Sequence, residues 1–489
     1  MHTRSRKNFI FPAVLLLGAG FTACKDSDSP GKMPNKDIVF ANHSVTPALI
    51  TKKAGFDKLE IFSLISSDDK LAGSPAFVFG GSADGSGLMK QGDVYHLIVN
   101  HEDNFAVSRI TLDKTFKPIK GEYILNSDGG QWRLCSATLA TPEEHGFGPM
   151  YLTCGESGEE SKTNLLDPLD IPANAAKFRD NNGLGRWSAE NAVPLPKTTY
   201  AGKTVILIGE DDDKASGGQL AMYLSNTIGD LDNGSLYMLK RTDGNQKETD
   251  IKTGTTVDVE FVKIDNHTAL TGADINAKVD VLKAIRFGRV EDIDYRKGSA
   301  EGGRDIFFNV TGQAKSGVNA DGSRTVAGRT YRLKLDAANP LKGKLELLLD
   351  GDDKSGPAKD FQNPDNICVT NNYVYIQEDA NSYGTETHDA IVYQYNINTR
   401  ELKQVLELDH RRTTADTKTY NPTTPSAFGS WEYGALIDIS ETVGVEGTFA
   451  LCIQPHSWRG TKYLNPDGGS KRAAENQASQ IVILKGLPK

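Results

Sequence analysis

The chain has 489 residues, a formal net charge of −9 and 38% hydrophobic residues, an ordinary balance for a globular protein with one large all-β domain or two to three smaller ones. The acidic balance argues against a general nucleic-acid binder, which needs a basic face, and leaves room for an acidic interior that holds cations. Glycine is abundant at 48 residues and runs at the helical period are scarce, so strands and turns are favoured over helices.

The amino terminus reads as a targeting segment. Arg4, Arg6 and Lys7 precede an apolar stretch over 9–21, about as long as a signal-peptide core and too short to span a bilayer. It ends in Phe21, Thr22, Ala23 and Cys24, which resembles a bacterial lipobox with Phe where Leu is usual. The expectation is a signal peptide over 1–24, lipidation of Cys24, a polar flexible tether over 25–37 and a single folded domain over 38–489. The chain would then be held at the outer membrane, on its periplasmic or surface face, by acyl chains whose buried methylenes contribute about 0.8 kcal/mol each. A plain secretory signal with an incidental cysteine is the alternative.

In chain order, short strands are predicted over 38–40 and 60–64, and a flexible Gly/Ser-rich turn over 80–87. That turn has no phosphate-binding glycine pattern. A series of similar units follows, each an apolar run that stops at polar residues. Residues 93–99 end at Asn100, His101, Glu102 and Asp103, and residues 149–153 end at Cys154, Gly155 and Glu156. Residues 203–208 end at Gly209, Glu210 and Asp211, and residues 304–308 end at Asn309. Residues 373–376 end at Glu378 and Asp379, and residues 447–453 end at Gln454, Pro455 and His456. Glu102, Glu156 and Glu210 are evenly spaced. Residues 362–381 read as a β-hairpin turning at Asn371 and Asn372, since Asn tolerates a tight turn and β-branched and aromatic residues suit its arms. Residues 411–426 read as a long exposed loop, and the strand over 480–484 is placed to close a ring against the amino-terminal strands.

Repeats of a few short strands each are the signature of a β-propeller, here of about six blades. If the apolar runs line its axis, the acids at their ends converge. Glutamate is a poor turn former, so its recurrence is not explained by turn chemistry alone. Segments 184–190, 285–293 and 362–366 add Glu190, Glu291 and Asp365. Glu102, Glu156, Glu190, Glu210, Asp211, Glu291, Asp365 and Glu378 are thus candidate ligands for Ca²⁺, Mg²⁺ or Mn²⁺, which take hard oxygen donors. So many carboxylates in one channel repel each other unless protonated or bridged by cations. Arg289, two residues before Glu291, offers a fork for a phosphate or carboxylate, and His101 and His456 could also contact an oxyanion. There is no zinc-binding His-Glu-x-x-His or Cys-x-x-Cys motif and no Gly-x-Ser-x-Gly nucleophile elbow. Cys135 and Cys154 could form a disulfide in an exported protein or remain small buried hydrophobes.

Several motifs occur in a fixed order: Asn100-His101-Glu102; Cys135-Ser136-Ala137-Thr138 with Leu152 to Glu156; Leu184-Gly185-Arg186-Trp187 with Glu190; Gly209 to Asp212; Arg289 to Asp292; and Asn363 to Asn366. Together they resemble the PhoX-type alkaline phosphatases over roughly residues 95–380. The resemblance implies an irregular, bifurcated propeller with a central site of Ca²⁺ and Fe³⁺ that hydrolyses phosphomonoesters. It implies that Glu102, Cys135, Glu156, Glu190, Asp211 and Glu291 are metal ligands, with Cys135 the thiolate on iron, and that Arg289 binds the substrate phosphate. Arg289 and Cys135 would then be the residues closest to catalysis, while Glu210, Asp365 and Glu378 are ligand candidates on the acid pattern alone. The chain departs from the family in its lipobox, where a twin-arginine signal is usual, and after Cys135, where Trp-Gly is replaced by Thr141-Pro142-Glu143-Glu144-His145. The expected function is a monomeric phosphomonoesterase of the cell envelope acting on small phosphate esters. The alternatives are another calcium-dependent propeller hydrolase (a phosphodiesterase, phosphotriesterase or lactonase) and a surface-binding lipoprotein with structural calcium.

Overall fold

A computed structural model describes residues 38–299, 301–380, 383, 385–422 and 427–489. The expected signal peptide, the lipidation site Cys24 and the tether lie outside the described residues.

The chain forms a β-propeller of six blades, each an antiparallel sheet entered from the axis outward. Blade 1 comprises Ala83–Gln91, Val94–His101, Ala106–Leu112 and Pro118–Leu125, and blade 2 comprises Leu134–Ala140, Met150–Gly155, Thr163–Leu166 and Asp180–Asn181. Blade 3 runs Ala189–Pro194, Thr204–Glu210, Gln219–Ser225, Ser235–Arg241, and blade 4 runs Val290–Tyr295, Asp305–Val310, Arg329–Leu335, Lys342–Asp350. One extra strand, Thr256–Ile264, pairs with the outer edges of both and fuses them into a nine-stranded sheet. Blade 5 holds Pro364–Val369, Tyr373–Glu378, Ile391–Asn396 and Leu402–Leu408, with Ile50–Lys52 on its outer edge. Blade 6 holds Glu432–Asp438, Thr448–Gln454 and Gln480–Lys485, and its outermost strand is Glu60–Ser66 from the amino-terminal side. The pairing of Gln480–Lys485 with Glu60–Ser66 closes the ring as expected from the sequence. Closure removes the free sheet edges that an open propeller would present to other chains.

The core is distributed between blades. Among the described residues, six apolar clusters occupy the six gaps between neighbouring blades. Leu97, Val99, Ala450 and Cys452 pack between blades 6 and 1, and Ile208, Leu152, Cys154 and Ala192 between blades 2 and 3. These second strands face a neighbouring sheet on both sides, which explains their near-continuous apolar runs.

That pattern corrects one expectation. The apolar runs over 93–99, 149–153, 203–208, 304–308, 373–376 and 447–453 all lie in the second strand of a blade. The axis is lined by the strands before them, and each of these inner strands contacts the next around a closed ring. Within the segment over 80–87, expected as a turn, residues from Ala83 onward begin the inner strand of blade 1, Ala83–Gln91. The hairpin expected over 362–381 forms between Pro364–Val369 and Tyr373–Glu378, with Cys368 opposite Tyr375 and Val369 opposite Val374. Within 411–426, residues Thr417–Tyr420 form a short helix whose Tyr420 is buried against Trp458.

Candidate metal centre

All six inner strands carry the same irregularity. Ala83 pairs with His101 and Ser86 with Val99, so Asp84 and Gly85 together oppose the single residue Asn100. The same two-against-one bulge holds Cys135 and Ser136 in blade 2, Glu190 and Asn191 in blade 3, and Glu291 and Asp292 in blade 4. It holds Asp365 and Asn366 in blade 5 and Gly434 and Ala435 in blade 6. A bulge re-aims the side chain it displaces. Repeated around an axis, it directs five donor side chains, Asp84, Cys135, Glu190, Glu291 and Asp365, to one place.

These residues form three overlapping groups whose donor atoms lie within 4.8 Å of one another: Asp84, Cys135 and Glu190; Glu102, Cys135 and Glu156; Glu190, Glu291 and Asp365. Cys135 and Glu190 are shared, so seven residues make one connected centre. Glu102 and Glu156 come from the residues just past the second strands of blades 1 and 2. Asp211 occupies the same position in blade 3 and Asp379 in blade 5, but neither belongs to the three groups; Asp211, expected as a ligand, is held by Arg289.

That positional rule accounts for three residues that do not join the centre. His101, Glu210 and Glu378 each pair with the residue before the bulge, one step out of phase with Glu102, Asp211 and Asp379. On a strand, one step turns the side chain to the opposite face. His101 is buried between Phe79 and Tyr123, with Nε2 2.7 Å from Ser108 Oγ and Nδ1 3.2 Å from the Gly81 carbonyl. Glu378 accepts from the amides of Gln362 at 2.7 Å and Ile391 at 2.9 Å and lies 3.0 Å from His388 Nε2; it braces the hairpin of blade 5. Glu210 is fully buried, and its strongest electrostatic neighbours are Asp212, Asp211 and Glu159. The even spacing of Glu102, Glu156 and Glu210 therefore hid a change of face. His456 stands at the rim, with Nε2 3.3 Å from Glu432 and Nδ1 2.9 Å from Gln477.

Residues behind the bulges fix their geometry. Tyr151 donates to Asn100 Oδ1 at 3.0 Å and to the Gly85 carbonyl at 2.7 Å, and Asn100 donates to the Cys135 carbonyl. Asn309 donates to the carbonyls of Asp365 and Asn366 at 2.8 and 3.1 Å, and Gln377 to that of Gly434 at 3.1 Å. Asn191 donates to Asp292 at 2.6 Å, Asn366 to Ser136 at 2.8 Å, and the Ser136 amide to Glu190 at 3.1 Å. A second-strand amide thus holds the bulge of the next blade in three of the six positions.

The electrostatics are those of crowded buried acids. Burial, then Asp292, pushes Glu190 up to about 8. Burial and neighbouring carboxylates push Asp84, Glu156, Glu291 and Asp365 well above the usual carboxylate range. Burial and Glu156, whose Oε2 is 3.0 Å from Sγ, raise the Cys135 thiol. Asp211 behaves differently: burial would raise it, but Arg289 and further hydrogen bonds hold it below its ordinary value. Arg289 grips Asp211 with Nε at 2.6 Å and Nη2 at 2.9 Å, and Nη2 lies 3.3 Å from Glu291.

The donors fit bound cations. Asp84 Oδ1 and Asp365 Oδ1 are buried without a hydrogen-bond partner, and an isolated buried carboxylate oxygen is costly. Six carboxylates suit hard cations and one thiolate adds a soft donor. Cys135, Cys154, Cys368 and Cys452 are all free thiols, so the disulfide between Cys135 and Cys154 does not form and Cys135 is open to a metal. Beside the centre lies a cavity of about 590 Å³, lined by Glu156, Ser188, Asp211, Lys214, Arg289 and Tyr383 among others.

Sequence reasoning missed Asp84, Asp379, Glu432 and Arg133, all of which face this channel or its rim. The rule that would have found Asp84 is its place one hairpin upstream of Glu102, as Cys135 is upstream of Glu156. Glu432 sits two residues before the bulge of blade 6, and burial and Asp379 push it well above the usual range.

Fold and centre together define a six-bladed propeller with an acid-lined axial centre. No family profile and no curated protein sequence matches the chain. Among solved structures it is similar to Pseudomonas fluorescens PhoX in complex with vanadate, a transition-state analogue, with a TM-score of 0.61, 14% identity, and 92% of this chain and 98% of that one covered. The chain therefore has a PhoX-like fold. Fainter similarities are to the PQQ-bound aldose sugar dehydrogenase of Streptomyces coelicolor (TM-score 0.38, 10% identity, 87% and 98% covered) and the α-L-arabinofuranosidase Arb93A of Fusarium graminearum with an iminosugar inhibitor (TM-score 0.38, 11% identity, 83% and 96% covered).

Proposed function

We propose that this protein is a metal-dependent phosphomonoesterase of the cell envelope. The observation that carries the reading is one connected set of six carboxylates and one thiolate, converging from a repeated bulge beside an arginine fork. The PhoX-like fold supports it, since PhoX itself was captured with vanadate, a transition-state analogue. Glu102, Cys135 and Glu156, one of the two groups that contain the thiolate, would hold Fe³⁺. Glu190, Glu291, Asp365 and Asp84 would hold Ca²⁺. When bound, these cations neutralise the phosphoryl oxygens and polarise the bond to phosphorus.

The chain's own residues have separate tasks. Arg289 presents its guanidinium to the phosphoryl oxygens and steadies the charge that develops on them. Asp211, held ionised, fixes the plane of that guanidinium through two hydrogen bonds. The cavity lined by Lys214, Ser188 and Tyr383 accommodates the leaving group. Substrates are small phosphate esters, and the protein acts as a monomer held through Cys24 at the outer membrane.

The test is hydrolysis of p-nitrophenyl phosphate at alkaline pH by protein loaded with Ca²⁺ and iron. Turnover is expected, with loss in chelator. Arg289→Gln is expected to lower kcat/KM at least about a hundredfold, the scale of one lost transition-state donor. A fully metallated sample that turns over no monoester, or that hydrolyses only diesters or lactones in a substrate panel, overturns the reading.

A further inference from the structure

The pseudo-sixfold repeat identifies a residue that neither the sequence motifs nor the fold comparison assigns. Two positions before each bulge residue, the backbone carbonyl faces the residue that follows the second strand. The amide of Glu102 donates to Ser82 at 2.9 Å, that of Glu156 to Arg133 at 2.8 Å, and that of Asp211 to Ser188 at 2.8 Å. The amide of Thr311 donates to Arg289 at 3.0 Å and that of Asp379 to Asn363 at 3.0 Å, while Glu432 pairs with Gln454 in blade 6. The six equivalent residues are thus Ser82, Arg133, Ser188, Arg289, Asn363 and Glu432. Two are arginines, in blades 2 and 4, separated by the small Ser188 of blade 3.

We infer that Arg133 is a second oxyanion-binding residue, the counterpart of Arg289 on the other flank of the centre. Its Nε lies 3.3 Å from Glu102 Oε1 and its Nη2 3.2 Å from Asp103 Oδ1. Glu102 is a donor of the group built on Cys135, just as Glu291, beside Arg289, is a donor of the group built on Glu190. The Arg133 side chain is 45% exposed against 21% for Arg289, so its guanidinium borders solvent at the mouth of the channel. Both arginines act electrostatically on Glu156, which follows the second strand of blade 2, the blade of Arg133. Once cations take up the charge of Glu102, the Arg133 fork has less carboxylate to neutralise and is available to an incoming anion, which a planar guanidinium can hold bidentately. The ligand class is a tetrahedral oxyanion, a phosphoryl group or inorganic phosphate. This assignment rests on the phosphatase reading for its link to turnover, whereas binding of phosphate itself can be measured without turnover.

The experiment measures binding of inorganic phosphate by calorimetry to metal-loaded wild type, Arg133→Gln and Arg133→Lys, with metal content determined on the same samples and KM and kcat for p-nitrophenyl phosphate alongside. Arg133→Gln is expected to weaken phosphate at least about tenfold and to raise KM, as loss of a charge-assisted contact does, at unchanged metal content. Arg133→Lys is expected to recover part of the affinity. Phosphate affinity in Arg133→Gln equal to wild type overturns the inference. So does loss of metal whose restoration returns full affinity, because Arg133 then serves only to neutralise Glu102 and Asp103. A wild type that binds phosphate but hydrolyses nothing overturns the phosphatase reading and leaves the Arg133 assignment to be decided by the binding arm.

Discussion

His101 and His145 each bury a neutral imidazole, and each has a consequence in acid. Burial lowers both to about 4, against 6.5 for an exposed histidine. The unfolded chain takes up a proton as pH falls through 6.5, while the native chain cannot until about 4. Each lowered histidine therefore contributes stability that is present above pH 6.5 and lost on the way down to 4, on the order of 3 kcal/mol at 1.36 kcal/mol per pH unit. His101→Gln is expected to be less stable than wild type at pH 7 but to lose less on acidification. Urea unfolding at pH 7 and 4.5 checks this through the difference between the two proteins. An equal loss in both would mean that His101 does not titrate on unfolding. His101 is structural for the same reason that Glu210 and Glu378 are: all three occupy the strand position that faces between blades.

At the scale of the strand, the propeller was legible where the chain is apolar and hidden where it lines the axis. The second strands read clearly because both faces are covered by neighbouring sheets. The inner strands give no such signal. Ala83-Asp84-Gly85-Ser86-Gly87 has no alternation, because one face meets the polar channel and the bulge breaks the period of two. Gly85 is required by close approach, since a Cβ there would stand 2.4 Å from the Ala137 amide nitrogen and 2.7 Å from the Asn100 side chain. To a sequence reading the same glycines signal a turn. Glu190, Glu291 and Asp365 were found because their segments carry acids next to recognisable motifs, while Asp84 and Glu432 do not. Ring closure was legible from the apolar strand at the carboxyl end. Truncation after Ser479 removes the partner of both Glu60–Ser66 and Thr448–Gln454, exposing two strand edges and the cluster built on Val482 and Leu484. The truncated chain is expected to lose its cooperative thermal transition and its near-ultraviolet circular dichroism. Retention of a wild-type melting curve would show that five blades and a remnant suffice.

For the molecule as a whole, the centre couples folding, pH and cations. In metal-free protein Glu190 has a folded value of about 8 against 4.5 when exposed, and Glu156, Glu291 and Asp365 are shifted the same way. A raised acid contributes stability that is fully present below its unfolded value and is lost as pH rises through its folded one, because ionising it natively means charging a buried group among like charges. The chelated protein is therefore expected to melt at progressively lower temperature from pH 5 to pH 9. Cations reverse the trend, since they bind the deprotonated donors and so bind more tightly as pH rises. Each site adds about 4 kcal/mol when the free cation exceeds its dissociation constant a thousandfold. The separation between the melting temperatures of loaded and chelated protein should thus widen from pH 5 to pH 9. Scanning calorimetry of the two forms across that range measures it directly. Parallel curves would mean that the acids of the channel are satisfied by something other than cations, and the centre would lose its claim to bind metal.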